Sequence, residues 1–472
     1  MANITEPRTL SGFMELLPDR QVIFDKIRRK LEDVYSLYGF YPLDTPVLEY
    51  SEVLLAKAGG ETEKQIYRFN KGDTDLSMRF DLTVPLAKYV AKNAGELTFP
   101  FKRYQIGKVY RGERAQKGRF REFYQSDIDI IGDGELSLVN DAEIPGIIYR
   151  IFTELGITGF TIRINNRKVL GGLFELFGLG GNEAEVLRVI DKLEKIGGEA
   201  VKEELESLGI DMKAASELLE LLTHERSNAE TIETLRAMAG RSELLDEGVN
   251  ELAVVTGYMS GFGVPEENLR IDLTIARGLD YYTGTVYETM INSHPEIGSV
   301  CSGGRYENLA GYYTNRKLPG VGISIGLTRL FYVLNENGWL CESRRYPSEV
   351  LVIPMMTDNC AQVSDGETQS AKNRVQREDY ARAIEVSQYL RRQGISTQIY
   401  FEKKKFKARI GYADKLSIPF CVFIGEDEIK EGNVSLKNMA DGTQEKYSLE
   451  DCAAAIKKAL ADSGSAALVK SL

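Results

Sequence analysis

Arginine, carboxylate, amide and aromatic side chains alternate through residues 111–129, a mixture of types able to grip a phosphate-bearing ligand. Arg111 and Glu113 close the run FKRYQIGKVYRGE, and Arg119, Arg121, Phe123, Gln125, Asp127 and Asp129 follow in GRFREFYQSDIDIIG. A guanidinium suits a triphosphate because its planar fork donates two parallel hydrogen bonds and stays charged. An aromatic ring set between arginines, Phe123, can stack on a purine. The same pattern also describes a solvated sheet face laced with ion pairs, which is the norm for antiparallel sheets, and the residues alone leave both readings open.

A second group, ARGLDYYTGTVYE, brings Arg277, Asp280, Tyr281 and Tyr282 within six residues. A Tyr-Tyr pair in a strand ordinarily buries one ring and exposes the other. Gly303, Gly304 and the glycines at 320, 322 and 326 permit close backbone approach to a ligand, and Arg329 falls on the first turn of a helix. Neither a P-loop nor a dinucleotide fingerprint is present. His224 and His294 are the only histidines, so any catalysis is expected from arginines, carboxylates and tyrosines. The five cysteines (Cys301, Cys341, Cys360, Cys421, Cys452) are scattered and never form a CxxC pair, which argues against disulfides and structural zinc.

The elements that must position these groups are readable in outline. Apolar spacing at Ile27, Leu31, Val34 and Tyr38 predicts an amphipathic helix over 20–38, ended by Gly39. The prolines of FYPLDTPVLEY predict extended chain. Residues 75–90 read as strand, turn and a short helix opening near Pro85. The two alternating runs of 100–132 predict a long antiparallel hairpin. On its second run Phe120, Tyr124, Ile128 and Ile130 are expected on one face and the charged set on the other. Residues 170–262 carry helical periodicity with few aromatics and read as a helical insertion in a larger α+β domain. LPGVGISIGLTRLFYVL predicts a strand feeding a helix. Residues 357–380 are polar and read as a loop. Beyond them helices and strands alternate, predicting a small α/β domain with a mostly parallel sheet. Its stretch Lys403, Lys404, Lys405, Lys407, Arg409 is the densest basic run.

With 472 residues, two to four domains are expected, and 43% hydrophobic with 27% charged residues describes a folded soluble protein. No apolar run approaches the roughly 18 residues that span a bilayer, and the first twenty lack the order of a secretory signal, so a cytoplasmic location is expected. The net charge of −11 counts mildly against a dedicated nucleic-acid binder without excluding a local basic patch.

In combination and order these segments resemble the histidyl-tRNA synthetases across nearly the whole chain. GFYPLDTPVLE resembles motif 1 of class II aminoacyl-tRNA synthetases, with Pro46 at the motif's proline. VYRGERAQKGRFREFYQSDIDIIG resembles motif 2, and GVGISIGLTRL motif 3 with Arg329 as its terminal arginine. RGLDYYTGTVYE and CSGGRYENL are similar to blocks particular to the histidine enzymes. The resemblance implies an α+β catalytic domain with an antiparallel sheet and flanking helices (1–169 and 263–340), a helical insertion (170–262) and a C-terminal α/β anticodon-binding domain (348–472). It also implies a homodimer formed through motif 1, with ATP, Mg2+, L-histidine and tRNA(His) as cofactor and partners.

By matching position, the resemblance implies that Arg111 grips the ATP α-phosphate and the histidine carboxylate, and Glu113 the adenine edge. Phe123 would stack on adenine, Arg329 on its other face, and Arg119 would join the ATP contacts. Asp81, Leu82 and Thr83 in RFDLTVP resemble the segment that binds the α-amino group, with Asp81 where many bacterial relatives have Glu. Thr328 occupies a spot that is often Glu. Gln125, Asp129, Tyr281 and Tyr282 would surround the imidazole, whose two nitrogens a carboxylate and a phenol can tell apart. Arg277 would lie beside the scissile phosphate. For tRNA, Gln116 and Lys117 are expected at the acceptor end and the 403–409 strip, Lys404 and Lys405 above all, at the anticodon stem. A basic run of that kind is also common as a solvated face. The alternative to a ligase is a synthetase-like histidine-sensing regulatory subunit of a phosphoribosyltransferase, which would lack the C-terminal domain and erode the ATP contacts.

Overall fold

β5 (Phe101–Tyr110) and β6 (Glu122–Ile131) pair antiparallel as the expected hairpin, with Arg103 opposite Asp129, Gln105 opposite Asp127 and Val109 opposite Phe123. The structure, a computed structural model, describes residues 4–56, 60–114, 118–179, 183–190, 192–275, 282–307, 309–341, 346–355, 369–402, 404–462 and 468–469. Its chain divides into two units: residues 1–15, 27–339 and 469–472, and residues 16–26 with 340–468.

In the first unit the sheet continues from β6 through β11 (Gly320–Ile325), β10 (Cys301–Tyr306), β9 (Thr285–Ile291) and β7 (Phe160–Asn166), antiparallel at every step. At the margins β1 (Tyr41–Pro42) joins β5 and β8 (Leu269–Ile271) joins β7, both in parallel. The expected antiparallel sheet is therefore mixed at its edges. β8 is separated from β7 by a long helical stretch and β1 from β5 by further strands and helices, each long enough for the crossover that parallel pairing requires. β2 (Leu48–Tyr50), β4 (Thr74–Met78) and β3 (Arg68–Lys71) form a small antiparallel sheet beside the short helices α2 (Ser51–Leu55) and α3 (Gly60–Gln65).

Helices cover one face of the large sheet. α1 (Pro18–Leu37) turns Ile27, Leu31, Val34 and Tyr35 inward, all fully buried, while Tyr38 lies one residue past the helix. The Tyr35 hydroxyl and Ser126 Oγ are 2.7 Å apart. α5 (Val139–Leu155) carries Pro145 in its interior. Proline has no N–H for the carbonyl four residues back, and the Asp141 carbonyl instead accepts the Tyr287 hydroxyl at 2.7 Å. The Asp141 carboxylate pairs with buried Arg305, which also donates to the Leu136 and Ser137 carbonyls, so β10 holds the start of α5. On the other face α4 (Thr83–Asn93) borders the exposed floor.

Six helices follow β7: α6 (Arg167–Leu176), α7 (Glu183–Ile190), α8 (Leu193–Ser207), α9 (Met212–Thr223), α10 (Asn228–Arg236) and α11 (Glu243–Met259). Their starts carry local signals: Asn166 accepts from Lys168 N, Asp211 from Lys213 N and Ala214 N, and Ser227 with Glu230 forms a capping box. Gly172 and Gly248 let α6 and α11 cross in backbone contact. A Cβ on Gly248 would lie 2.5 Å from Val169 N, and one on Gly172 would strike Leu245. α12 (Leu327–Glu336) then leaves β11 as expected.

The second unit has a five-stranded sheet in the order β13 (Thr397–Ile399), β12 (Val350–Pro354), β14 (Phe420–Ile424), β15 (Val434–Asn438), β16 (Gln444–Tyr447). The first three are parallel and the last two pairings antiparallel, so the expected mostly parallel sheet is half hairpin. α13 (Gln369–Arg392) and α16 (Leu449–Asp462) supply Val386, Leu390, Cys452 and Ile456 to one core, and α14 (Phe406–Lys415) supplies Ala413 to the other. β14, buried throughout, lies between the two cores. A short helix, α15 (Glu426–Glu431), was not anticipated. The expected loop over 357–380 is corrected from Gln369 onward, where α13 begins. Polarity alone does not make a loop, because QSAKNRVQRED contains good helix formers and no glycine or proline.

A candidate active site on one sheet face

Side chains of β6 define the floor. Phe123, Gln125, Asp127 and Asp129 share a face, and pairing extends the Asp127 row across the sheet through Gln105, Ser324, Ser302 and Glu288. Two cavities open there. The larger, about 300 Å³, is lined by Arg111, Glu113, Gly118, Arg119, Phe120, Phe123 and Arg329 among others. The smaller, about 230 Å³, is lined by Asp81, Thr83, Asp127, Asp129, Tyr282, Tyr287, Glu288, Tyr306 and Gly322 among others. Arg111, Gln125, Ser302 and Ser324 line both, so the two are one site with a common wall.

In the larger cavity the Arg111 guanidinium lies 4.4 Å from the Phe80 ring centre and 5.1 Å from that of Phe123. Its Nε donates to the Phe80 carbonyl at 3.3 Å. Stacking on two rings fixes the plane of the guanidinium at the cavity wall. Arg329 donates from Nη1 to the Ser299 carbonyl at 2.7 Å, and Arg119 lies 3.9 Å from Glu113. Thr328, where a carboxylate was the alternative, accepts from Tyr124 N at 2.8 Å and ties α12 to β6.

The smaller cavity is acidic. Asp129 Oδ2 lies 2.6 Å from Arg103 Nη2, and its Oδ1 accepts the Tyr306 hydroxyl at 3.0 Å. Burial raises the Asp129 carboxyl to about 6 against the opposing pull of Arg103 and Tyr306. Burial raises Asp127 to about 7, opposed by Arg103 and Ser324 and reinforced by Asp129 and Asp81. Asp81 is raised too, chiefly by burial, although its Oδ1 accepts Val84 N at 2.9 Å and so caps α4. Gln125 Nε2 donates to Ser324 Oγ at 2.6 Å. Gly322 makes room for Asp129: a Cβ there would collide with the Asp129 carboxylate and the Ile128 carbonyl.

Most of the residues singled out from sequence come together here. Arg111, Glu113, Arg119, Phe123 and Arg329 line the larger cavity; Asp81, Thr83, Arg111, Gln125, Asp129 and Tyr282 line the smaller. Leu82 lines neither; its side chain is buried and its carbonyl accepts Arg103 Nη2 at 3.4 Å. Arg277, Tyr281, Gln116, Lys117 and Lys403 lie outside the described residues. Two expectations on the hairpin change. Because β6 begins only at Glu122, Phe120 joins the cavity and meets Tyr332, 5.6 Å between ring centres. Arg121 turns instead to the Glu113 and Ser11 carbonyls. In the second unit Lys404 and Lys405 are exposed, but Arg409 is not part of a surface strip. It is buried on the inner side of α14 and donates to the Lys404 and Pro354 carbonyls, each at 2.6 Å.

Sequence reasoning gave no role to Arg103, Asp127, Tyr287, Glu288, Ser302, Tyr306 or Ser324. Tyr306 stood in the quoted CSGGRYENL block. Arg103 becomes visible only when the hairpin register sets it opposite Asp129.

Comparison with known proteins gives the same outline from another direction. The family described as Histidyl-tRNA synthetase matches residues 12–330, and the family described as Anticodon binding domain matches residues 349–459. A histidine–tRNA ligase of Clostridium tetani is 54% identical over 97% of this chain and 99% of its own length. The crystal structure of a Nostoc histidyl-tRNA synthetase superposes with a TM-score of 0.84 at 38% identity, covering 97% of this chain and all of the other. A Bacillus halodurans structure described as an ATP phosphoribosyltransferase regulatory subunit/histidyl-tRNA synthetase shares the fold at 21% identity, with a TM-score of 0.69 over 89% of this chain.

Proposed function

The chain belongs to the histidyl-tRNA synthetase family, and on that premise we propose that it is a histidine–tRNA ligase whose two cavities hold ATP and L-histidine. The observation that carries this reading is the common wall. Arg111, Gln125, Ser302 and Ser324 belong to both cavities, so a triphosphate in the larger and an amino acid in the smaller would meet where a guanidinium already stands. The larger cavity has the cations and aromatic rings that suit a purine nucleotide. The smaller has the carboxylates that suit an ammonium group and a ring N–H.

The reaction is attack of the histidine carboxylate on the α-phosphorus of ATP, releasing pyrophosphate and leaving histidyl-adenylate. A terminal ribose hydroxyl of tRNA(His) then attacks the activated carbonyl. No side-chain nucleophile takes part. Arg111 and Arg277 stabilise charge gathering on the phosphate oxygens and orient the reactants. Mg2+ accompanies ATP and neutralises phosphate charge. With Glu113 assigned to the adenine edge, the ion would be held mostly by phosphates and water.

The domain assignment follows the same reading: catalysis in 1–169 and 263–340, a helical insertion in 170–262 and anticodon recognition in 348–472. Gln116 and Lys117 would meet the acceptor end of tRNA, and Lys404 and Lys405 the anticodon stem. The enzyme is proposed to work as a cytoplasmic homodimer joined through the motif 1 segment. Among the described residues no helix is long and apolar enough to cross a membrane.

ATP–pyrophosphate exchange with each of the common amino acids, followed by aminoacylation of bulk tRNA, tests the proposal. Histidine alone should support both. Exchange with a different amino acid, or histidine binding with no exchange at all, would overturn it, and the second result is the one a regulatory subunit would give.

A further inference from the structure

Thr328 lines neither cavity and is buried, yet it stands next in sequence to Arg329, which lines the larger one. The pairing of β6 with β11 ends where Ser126 meets Ile325, and Tyr124, two residues nearer the hairpin loop, lies past that end. The chain opposite has by then turned. Gly326 N donates to the Val300 carbonyl at 3.0 Å, and α12 begins at Leu327. The backbone N–H of Tyr124 therefore meets a helix side chain rather than a strand carbonyl, and Thr328 Oγ1 accepts it at 2.8 Å. A hydroxyl on the first turn of α12 does the work of a ladder acceptor.

Each partner in that bond is joined directly to a residue of the larger cavity, since Tyr124 follows Phe123 and Thr328 precedes Arg329. Two further contacts run along the same seam. The rings of Phe120 and Tyr332 have centres 5.6 Å apart, and a Cβ on Gly118 would lie 3.9 Å from Arg329 Cγ and Tyr332 Cδ1. Such contacts press α12 against the hairpin without fixing how far it slides, whereas a hydrogen bond fixes both length and direction. The far end of Arg329 is held separately, by the Ser299 carbonyl. Resting on the ligase reading, we infer that Thr328 is a positioning residue for ATP, setting the spacing between the Phe123 ring and the Arg329 guanidinium, the two groups assigned to opposite faces of the adenine. Stacking is sensitive to that spacing, because a gap of about 0.5–1 Å already forfeits a quarter to a half of the attraction between touching atoms.

The test uses the full chain and ATP–pyrophosphate exchange. Thr328→Val keeps the outline of the side chain and removes the acceptor. It should raise KM for ATP about three- to tenfold, the range set by the net worth of one hydrogen bond, and leave KM for histidine within twofold. Thr328→Ser keeps the hydroxyl and should return KM for ATP to within twofold of wild type. Residues that act through one another are not additive. Arg329→Ala alone should raise KM for ATP, and adding Thr328→Val to it should change that value less than twofold. A rise in KM for ATP below threefold, an equal rise for histidine, a serine variant no better than the valine one, or additive effects in the double variant would each overturn the assignment. Calorimetric titration of ATP separates the ligase reading from the role of Thr328. Wild type that binds ATP and histidine but exchanges nothing defeats the former, whereas equal ATP affinity in wild type and Thr328→Val defeats the latter.

Discussion

Arg103 and Asp129 face each other across the β5–β6 pairing, 2.6 Å apart at Nη2 and Oδ2, with 0% and 5% of their side chains exposed. Arg103 Nε and Nη1 have no hydrogen-bond partner among the described residues, so Asp129 is the chief balance to a charge held inside the sheet face. Removing one member of such a pair leaves the other buried and uncompensated, at a cost of about 3–5 kcal/mol. Asp129→Asn is expected to lose stability in that range by urea denaturation of the unliganded protein. A variant as stable as wild type would mean that Arg103 is neutralised by another group.

Acid should affect wild type and Asp127→Asn differently. The Asp127 carboxyl is raised from an ordinary 3.8 to about 7, first by burial, with Asp129 and Asp81 adding to the rise and Arg103 and Ser324 opposing it. A group whose folded value exceeds its unfolded value favours folding below the unfolded value, and that contribution is lost as pH rises through the folded one. Between pH 4 and 7 wild type therefore loses stability that Asp127→Asn does not. The melting temperature of the variant should gain on wild type from pH 5 to pH 8; a constant gap would show that Asp127 titrates normally.

Gly322→Ala is expected to damage histidine use more than ATP use. The added Cβ collides with the Asp129 carboxylate and the Ile128 carbonyl, and overpacking of this kind costs about 1–3 kcal/mol. Displacement of Asp129 should raise KM for histidine severalfold while KM for ATP, measured in the same exchange assay, changes little. An unaffected histidine KM would place the ring elsewhere.

Arg277→Ala should leave histidine binding measurable and reduce ATP–pyrophosphate exchange by about 10²-fold or more, the usual cost of losing one preorganised donor to developing charge. Near-normal exchange would end the role given to Arg277.

Within the second unit the basic run should split in two. Charge reversal at Lys404 and Lys405, both exposed, should weaken tRNA binding and flatten its salt dependence, by a slope of about 0.9 for each phosphate no longer neutralised. Histidine activation should be unchanged. Arg409→Leu should instead lower the thermal stability of the second unit, since buried Arg409 ties Lys404 and Pro354 together. If reversal of the lysines reduced both tRNA binding and exchange, misfolding would be the better account.

The hairpin, the helical run after β7 and the strand–helix step into Arg329 were legible because each has a local signal: alternation, a 3.6-residue period, or glycine beside a turn. What could not be read is what depends on register. The face of β6 looked as much like a solvated surface as a binding floor until pairing placed Arg103 against Asp129 and Ser324 beside Asp127. Arg409 counted as part of a basic strip because sequence shows charge and not direction, and the helical turn sends it inward. Asp127 was visible as a charged residue, but the setting that buries it with Oδ1 unpartnered among the described residues is a property of three strands together.

Pro145 leaves a carbonyl of α5 short of a donor, and Tyr287, which also lines the smaller cavity, supplies it. A helix on the covered side of the sheet thus shares a residue with the pocket on the other side. The phenol points to the covered side, as alternation with Glu288 requires, so the pocket meets Tyr287 at the strand backbone, and the strand that floors it is moored to α5 from behind.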